Sequence, residues 1–324
     1  MLELKNVSVE FASKNSVRAV DGVSMVLKDG SRTAIVGETG SGKSILMLSI
    51  MRLLASNAVV TGQILLDGED ITHKDMRPYR KRMQIVFQDP YASLDPRMTV
   101  GDIVGEPLDI QEVCGSREER RDRILELLDL VGLNSEHMNR YPHEFSGGQR
   151  QRVSIARAMA LHPDFMVCDE PISALDVSIQ AQVINMLMEL QKKLGMAYLF
   201  IAHDLNVVRH ISHRVGVMYL GSLVEVCEAD RLYQNPLHPY TQALLSAIPF
   251  PDPEVSRSKN RVILEGDVPS PINPPKGCKF HTRCPYATEQ CRTERPEMMQ
   301  VDAAHTCACH KVTKELGLKP APKI

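Results

Sequence analysis

The run Gly37-Glu38-Thr39-Gly40-Ser41-Gly42-Lys43-Ser44 fits the pattern G-x-x-x-x-G-K-S, a spacing suited to holding phosphates. Its glycines let the backbone fold around an oxyanion with the N–H groups pointing inward, and a helix starting there adds a dipole that favours negative charge. In such a loop Lys43 contacts the β- and γ-phosphates of a nucleotide, and the Ser44 hydroxyl coordinates Mg²⁺. A second Mg²⁺ contact must come from the end of a neighbouring strand. Phe165-Met166-Val167-Cys168-Asp169-Glu170 offers Asp169 for that role. Glu170 is then placed to polarise an attacking water, because the protein's part in phosphoryl transfer is to position the nucleophile and neutralise developing charge. Two carboxylates at a strand end can also cap the next segment. The phosphate loop upstream favours the chemical reading.

A second constellation lies near the C-terminus. Five of the eight cysteines, Cys278, Cys284, Cys291, Cys307 and Cys309, fall among prolines and basic residues, whereas Cys114, Cys168 and Cys227 are scattered. A stretch with so little core gains stability from a bound metal. Thiolates suit Zn²⁺ or an iron–sulfur cluster, and spacing alone does not choose between them. Unliganded buried thiols are the bland alternative, although free cysteines are seldom so concentrated.

The elements that must position these groups follow from the apolar pattern. Residues 4–11 and 19–27 alternate like two strands of an antiparallel pair. Residues 31–36 read as a strand entering the glycine loop, and 44–54 as the helix leaving it. A further strand pair is expected at 63–67 and 84–87. Residues 117–131 are charged on one face and leucine-rich on the other. Helices are expected at 149–161 and 178–194, with buried strands at 165–168 and 197–202. This alternation predicts an α/β fold with a mostly parallel sheet covered on both sides. Beyond about residue 235, Pro236, Pro239, Pro249, Pro251, Pro253, Pro269, Pro271, Pro274 and Pro275 predict a small loop-rich appendage ending in a frayed tail.

Composition narrows the partners. With 324 residues and 43% hydrophobic content the chain can fill a substantial core. Its 38 basic and 40 acidic residues argue against nucleic acid as the main partner. No stretch reaches the roughly 18 apolar residues needed to span a bilayer; the best runs, 196–202 and 215–226, are broken or short. The start, Met-Leu-Glu-Leu-Lys-Asn, lacks the basic and apolar regions of a signal peptide, so a cytoplasmic location is expected.

Phe145-Ser146-Gly147-Gly148-Gln149-Arg150-Gln151-Arg152 resembles the signature motif of the ATP-binding cassette (ABC) family, and with the phosphate loop and strand-end carboxylates the resemblance covers residues 2–235. It implies a P-loop NTPase cassette with a mostly parallel core sheet, an antiparallel β subdomain and a helical subdomain at about 90–160. It also implies an ATPase acting as a dimer, in which Ser146, Gly147 and Gly148 hold the γ-phosphate of ATP bound to the other protomer. Gln88 matches the Q-loop glutamine that touches Mg²⁺ and the attacking water. Asp176, in Ser173-Ala174-Leu175-Asp176, matches the D-loop at the dimer interface. His203 matches the switch histidine at the γ-phosphate, although a lone histidine after a buried strand is more often structural. Phe11 matches the adenine-stacking aromatic, a position equally suited to core packing. Thr39 and Phe145 depart from the commonest residues without removing a needed functional group.

Two further runs, 87–100 and 235–241, resemble the oligopeptide/dipeptide/nickel importer subfamily. That implies an ATPase paired with a copy of itself or a paralogue at the cytoplasmic face of the inner membrane. Two integral membrane permease subunits would sit above it, with an extracytoplasmic solute-binding protein delivering peptides or related solutes. The run Gly277-Cys278-Lys279-Phe280-His281-Thr282-Arg283-Cys284-Pro285 is similar to the C-terminal motif of peptide-importer ATPases, which implies a [4Fe–4S] cluster. Matching His305 to His310 with that motif makes Cys309 the fourth ligand beside Cys278, Cys284 and Cys291 and leaves Cys307 over; Zn²⁺ is the alternative. The expected organisation is an ATPase domain at 1–235 and a Pro/Cys-rich metal-binding appendage at 236–324. The competing functions are a soluble ABC ATPase acting on nucleic acid or ribosomes, and a nickel importer ATPase.

Overall fold

The computed structural model describes residues 1–12, 16–248 and 262–321. Pro249, Pro251, Pro253 and the last three residues of the expected tail lie outside them. The chain forms two compact units, which do not follow chain order: 1–26, 32–73 and 201–324 make the first, and 27–31 with 74–200 the second.

The first unit opens with β1 (Leu2–Phe11) and β2 (Val17–Leu27), whose alternating residues bury one face. They belong to a four-stranded sheet of order β2-β1-β4-β5, with β4 at Ala58–Leu66 and β5 at Glu69–Asp70. Leu2, Leu4, Val7, Val9, Ile64 and Leu66 are buried beneath it. Each such apolar side chain contributes roughly 1.5 to 3 kcal/mol. Between these strands, β3 (Arg32–Val36) is apolar and buried, and it feeds the glycine loop and α1 (Lys43–Ile50). The helix ends sooner than its apolar pattern suggests, because Arg52 takes a left-handed φ of 53°.

The second unit carries β6 (Met83–Val86), the short α2 (Pro90–Ser93), α3 (Val100–Ile110), α4 (Arg117–Leu130) and α5 (Gly147–Met159). They are followed by β7 (Phe165–Asp169), α6 (Val177–Leu194) and β8 (Ala197–Ala202), whose last two residues fall to the first unit. The strands run in the order β8-β7-β6, and β6 pairs with β7 in parallel. The strand pair expected at 63–67 and 84–87 is therefore not formed. Residues 63–66 pair with Leu2 to Lys5, and 83–86 pair with Phe165 to Cys168. Apolar pattern marks a strand but not its partner.

The first unit resumes with α7 (Leu205–Ile211), then the hairpin of β9 (Arg214–Tyr219) and β10 (Ser222–Glu228). α8 (Ala229–Gln234) and α9 (Pro239–Ser246) follow. The Cys-rich segment contains α10 (Glu289–Thr293), β11 (Met299–Asp302), β12 (His305–Cys307), α11 (His310–Leu316) and β13 (Lys319–Pro320). It is more ordered than its prolines suggest, since β12 pairs with β10 and extends the order to β13-β11-β12-β10-β9-β3. β3 and β9 are parallel, while β10, β11, β12 and β13 add antiparallel pairs, so this sheet is mixed. Lys319 and Pro320 pair with Gln300 and Met299, which corrects the expected fraying at those two residues.

Candidate nucleotide site and thiol cluster

In the first unit the glycine loop is fixed by close approach. A methyl group on Gly37 would lie 2.2 Å from the Met218 carbonyl oxygen, and one on Gly42 would lie 2.4 Å from that of Ala19. Gly42, at a left-handed φ of 100°, is the residue from which α1 starts. Only glycine meets both demands. Lys43 is buried and donates through Nζ to the Gly37 carbonyl at 2.7 Å and the Glu38 carbonyl at 3.0 Å. Its ammonium is thus held inside the turn. Ser41 is buried, whereas Thr39, Gly40 and Ser44 are exposed at the mouth. Phe11 is half-buried at the end of β1 opposite Ala58, and His203 is exposed after β8, before the Asp204 cap of α7.

The second unit gathers the remaining predicted residues around β7. Four buried residues, Phe165, Met166, Val167 and Cys168, carry the strand to Asp169 and Glu170. Glu170 has a φ of 42°, unusual for a side chain with a Cβ. Gln88 Nε2 donates to the Glu170 carboxylate at 2.9 Å, and the Ser173 hydroxyl donates to the Glu170 carbonyl at 3.1 Å. Two residues predicted separately therefore meet in one hydrogen bond.

The signature residues form a helix start. Ser146 Oγ accepts from the Gln149 N–H at 3.4 Å, and Gln149 Oε1 accepts from the Ser146 N–H at 3.0 Å, a reciprocal capping box. The following glycines let α5 approach its neighbours closely. A methyl on Gly148 would fall 2.4 Å from Ile179 Cγ2. Phe145 is buried and anchors the turn. Asp176 stands exposed just before α6. Sequence reasoning passed over Arg150, which is buried, donates to the Pro142 carbonyl at 2.6 Å and lies over the Tyr91 ring at 3.6 Å. Its only signal was a charge inside an otherwise buried helix face.

The thiols divide into two environments. Cys278, Cys284, Cys291 and Cys309 lie within electrostatic reach of one another, and Cys307 within reach of Cys278 and Cys309. The Phe280 N–H beside Cys278, the Tyr286 N–H beside Cys284, and the Val312 and Lys311 N–H groups beside Cys309 each favour the thiolate. Thr288 Oγ1 lies 3.3 Å from Cys291 Sγ. Burial pushes the Cys278 thiol up to about 11, and raises Cys284 and Cys309 as well. Cys307 is fully buried in β12 opposite Glu225, with a thiol raised well above its ordinary value by burial. Nearby, Glu225, Cys227 and His305 bring ligand atoms within 4.8 Å of one another. The Glu225 carboxylate already accepts from His305 Nε2 at 2.8 Å and from the Leu237 and His238 N–H groups at 2.9 Å each. Hydrogen bonds occupy this carboxylate, so it reads as a structural tie.

Comparison with known proteins agrees with both halves of the chain. A family model described as ABC transporter matches residues 20–173, and one described as oligopeptide/dipeptide transporter, C-terminal region, matches 224–291. The chain is 48% identical to the putative oligopeptide transport ATP-binding protein YkfD of Bacillus subtilis (strain 168), covering 96% of this chain and 95% of that protein. It is 50% identical to the oligopeptide transport ATP-binding protein AppF of the same organism, covering 96% and 97%. Among solved structures, the dimeric ATP-binding cassette MJ0796 in a post-hydrolysis state bound to ADP and phosphate is 30% identical with a TM-score of 0.63. That likeness covers 71% of this chain and 99% of that one.

Proposed function

We propose, from the premise that this chain belongs to the ABC transporter family and is the ATP-hydrolysing subunit of a peptide importer, that the predicted residues divide the chemistry as follows. Residues 37–44 hold the phosphates of ATP, with Lys43 at the β- and γ-oxygens and Ser44 and Asp169 at Mg²⁺. Glu170, oriented by Gln88, positions and polarises the attacking water, and His203 contacts the γ-phosphate. Ser146, Gly147 and Gly148 act on ATP held by the partner cassette, while Asp176 lies at the shared interface and Phe11 stacks on the adenine. The Gln88–Glu170 hydrogen bond of 2.9 Å carries this reading, because it joins a water-orienting amide to a carboxylate at a strand end.

ATP closes the pair of cassettes, a copy or a paralogue serving as mate, and hydrolysis reopens it. The pair docks at the cytoplasmic face beneath two membrane subunits, supplied by an external solute-binding protein. The decisive experiment is Glu170→Gln. It should slow hydrolysis by roughly 10²- to 10⁴-fold while preserving ATP-dependent association with a mate. Normal hydrolysis, or no association in the presence of ATP, refutes the assignment.

The four neighbouring thiols support a second element of the reading. Backbone N–H donors at Cys278, Cys284 and Cys309, together with the Thr288 hydroxyl at Cys291, suit sulfurs held as thiolates. A [4Fe–4S] cluster, with Zn²⁺ as the alternative, would tie the loop at 278–291 to the start of α11. Iron, sulfide and zinc analysis of anaerobically purified protein tests this. Cys309→Ser should lose the metal and Cys307→Ser should retain it; the reverse pattern overturns the ligand set.

A further inference from the structure

The loop that carries Cys278 and Cys284 also reaches the phosphate loop. Arg283 donates to the Glu38 carboxylate through Nη1 at 2.8 Å and Nη2 at 3.4 Å, a two-pronged contact. Its side chain is only 9% exposed and that of Glu38 30%. Glu38 is held at two more points. Its N–H donates to the Tyr240 hydroxyl at 2.8 Å, and its carbonyl accepts from Lys43 at 3.0 Å.

The support behind these contacts is rigid. Arg283 N–H donates to the Phe280 carbonyl at 3.0 Å, and His281 N–H to that of Cys278 at 3.0 Å, so 278–283 is a tight turn. Phe280 is buried with its ring centroid 5.3 Å from Tyr219 and 5.4 Å from Tyr240. Side chain and backbone of Glu38 are therefore gripped by residues more than 200 positions away in the chain.

We infer that Arg283 is a positioning residue for nucleotide binding: it fixes the shape of the phosphate loop through Glu38 and cancels a carboxylate that would otherwise repel the incoming phosphates. Two physical effects act in the same direction. A two-pronged guanidinium contact restricts the loop to one geometry, as a single ammonium contact does not. A carboxylate left without its cation so close to the loop lowers affinity for an anion. The Cys-rich segment thereby acquires a direct part in ATP binding. This inference rests on residues 37–44 being the phosphate loop.

The test is titration of each variant with a fluorescent ATP analogue and Mg²⁺, alongside steady-state hydrolysis. Losing a charge-assisted contact of this kind corresponds to roughly ten-fold weaker binding for Arg283→Gln. Arg283→Lys, which keeps the charge but gives up the fork, should fall between it and the wild type. The effect should appear in KM, with kcat at saturation held within about two-fold. Glu38→Gln combined with Arg283→Gln should bind more tightly than Arg283→Gln alone, since the repelling carboxylate is gone. Unchanged affinity in Arg283→Gln and Arg283→Lys, or a loss confined to kcat, overturns the inference. Lys43→Ala separates the two levels. If it abolishes binding while the Arg283 variants bind normally, only the role of Arg283 fails; if it binds normally, the phosphate-loop assignment itself fails.

Discussion

His238 should make the protein lose stability on mild acidification. It is buried at the start of α9, where Nδ1 accepts the Tyr240 N–H at 3.1 Å. A ring nitrogen accepts only while unprotonated. Burial pushes the His238 pKa down to about 4 from its ordinary 6.5, although the Glu225 carboxylate pulls it the other way. Between those two values the unfolded chain binds the proton and the folded chain does not. The contribution is therefore complete above pH 6.5 and is lost as pH falls toward 4. At full extent the shift is worth about 3 kcal/mol, and near pH 5 about 2 kcal/mol is already gone. Urea unfolding near neutral pH and near pH 5 should show wild type losing about 2 kcal/mol more than His238→Asn, whose side-chain oxygen caps without titrating. His162 and His213 are also pushed down by burial, so the difference between variant and wild type is the readout. Parallel losses in the two proteins would refute the reasoning. Because Tyr240 also receives the Glu38 N–H, ATP affinity should weaken over the same interval.

Two further perturbations test the surroundings of the phosphate loop. Gly37→Ala places a methyl 2.2 Å from the Met218 carbonyl oxygen, a backbone atom with no rotamer to escape into. Displacing the loop by about 1 Å should reduce ATPase activity on the order of 10²-fold, with folding preserved by circular dichroism; near-normal activity would show that the loop tolerates the shift. His305→Ala removes one of the hydrogen bonds that the fully buried Glu225 carboxylate accepts, the one at 2.8 Å, and leaves those from the Leu237 and His238 N–H groups. Losing one hydrogen bond to a buried charged group should cost about 2 kcal/mol in urea unfolding near neutral pH, and a change under about 0.5 kcal/mol would deny the tie between β10 and β12.

The tight glycine turn before α1, the carboxylates at the end of β7 and the capped turn before α5 were legible in the sequence because each is local. The chemistry proposed for them needs residues adjacent along the chain, so spacing alone exposes them. The partners of the strands were less accessible. Residues 63–66 and 83–86 both have strand patterns, but nothing in either run distinguishes Leu2 to Lys5 from Phe165 to Cys168 as its neighbour. The Cys-rich segment misled for a related reason. Its prolines mark breaks in periodicity, yet the three residues of β12 suffice to pair with β10 and join the sheet. Arg283 was equally hidden, a basic residue between two cysteines whose partner is 245 positions away. Long-range contacts of this sort leave no period to read.

Glu170 shows why the site has the form it does. Its φ of 42° puts a side chain with a Cβ into left-handed backbone, at a cost of about 1 kcal/mol or more. Glycine would adopt the same turn without that cost but would supply no carboxylate. The Ser173 hydroxyl on the Glu170 carbonyl and Gln88 Nε2 on its carboxylate hold the strained residue in place. Under the proposed role of Glu170, a stability gain is forgone here for the direction of one carboxylate, because a water-activating carboxylate must be held in a fixed direction. On that proposal, the strain and the chemistry are two consequences of the same residue choice.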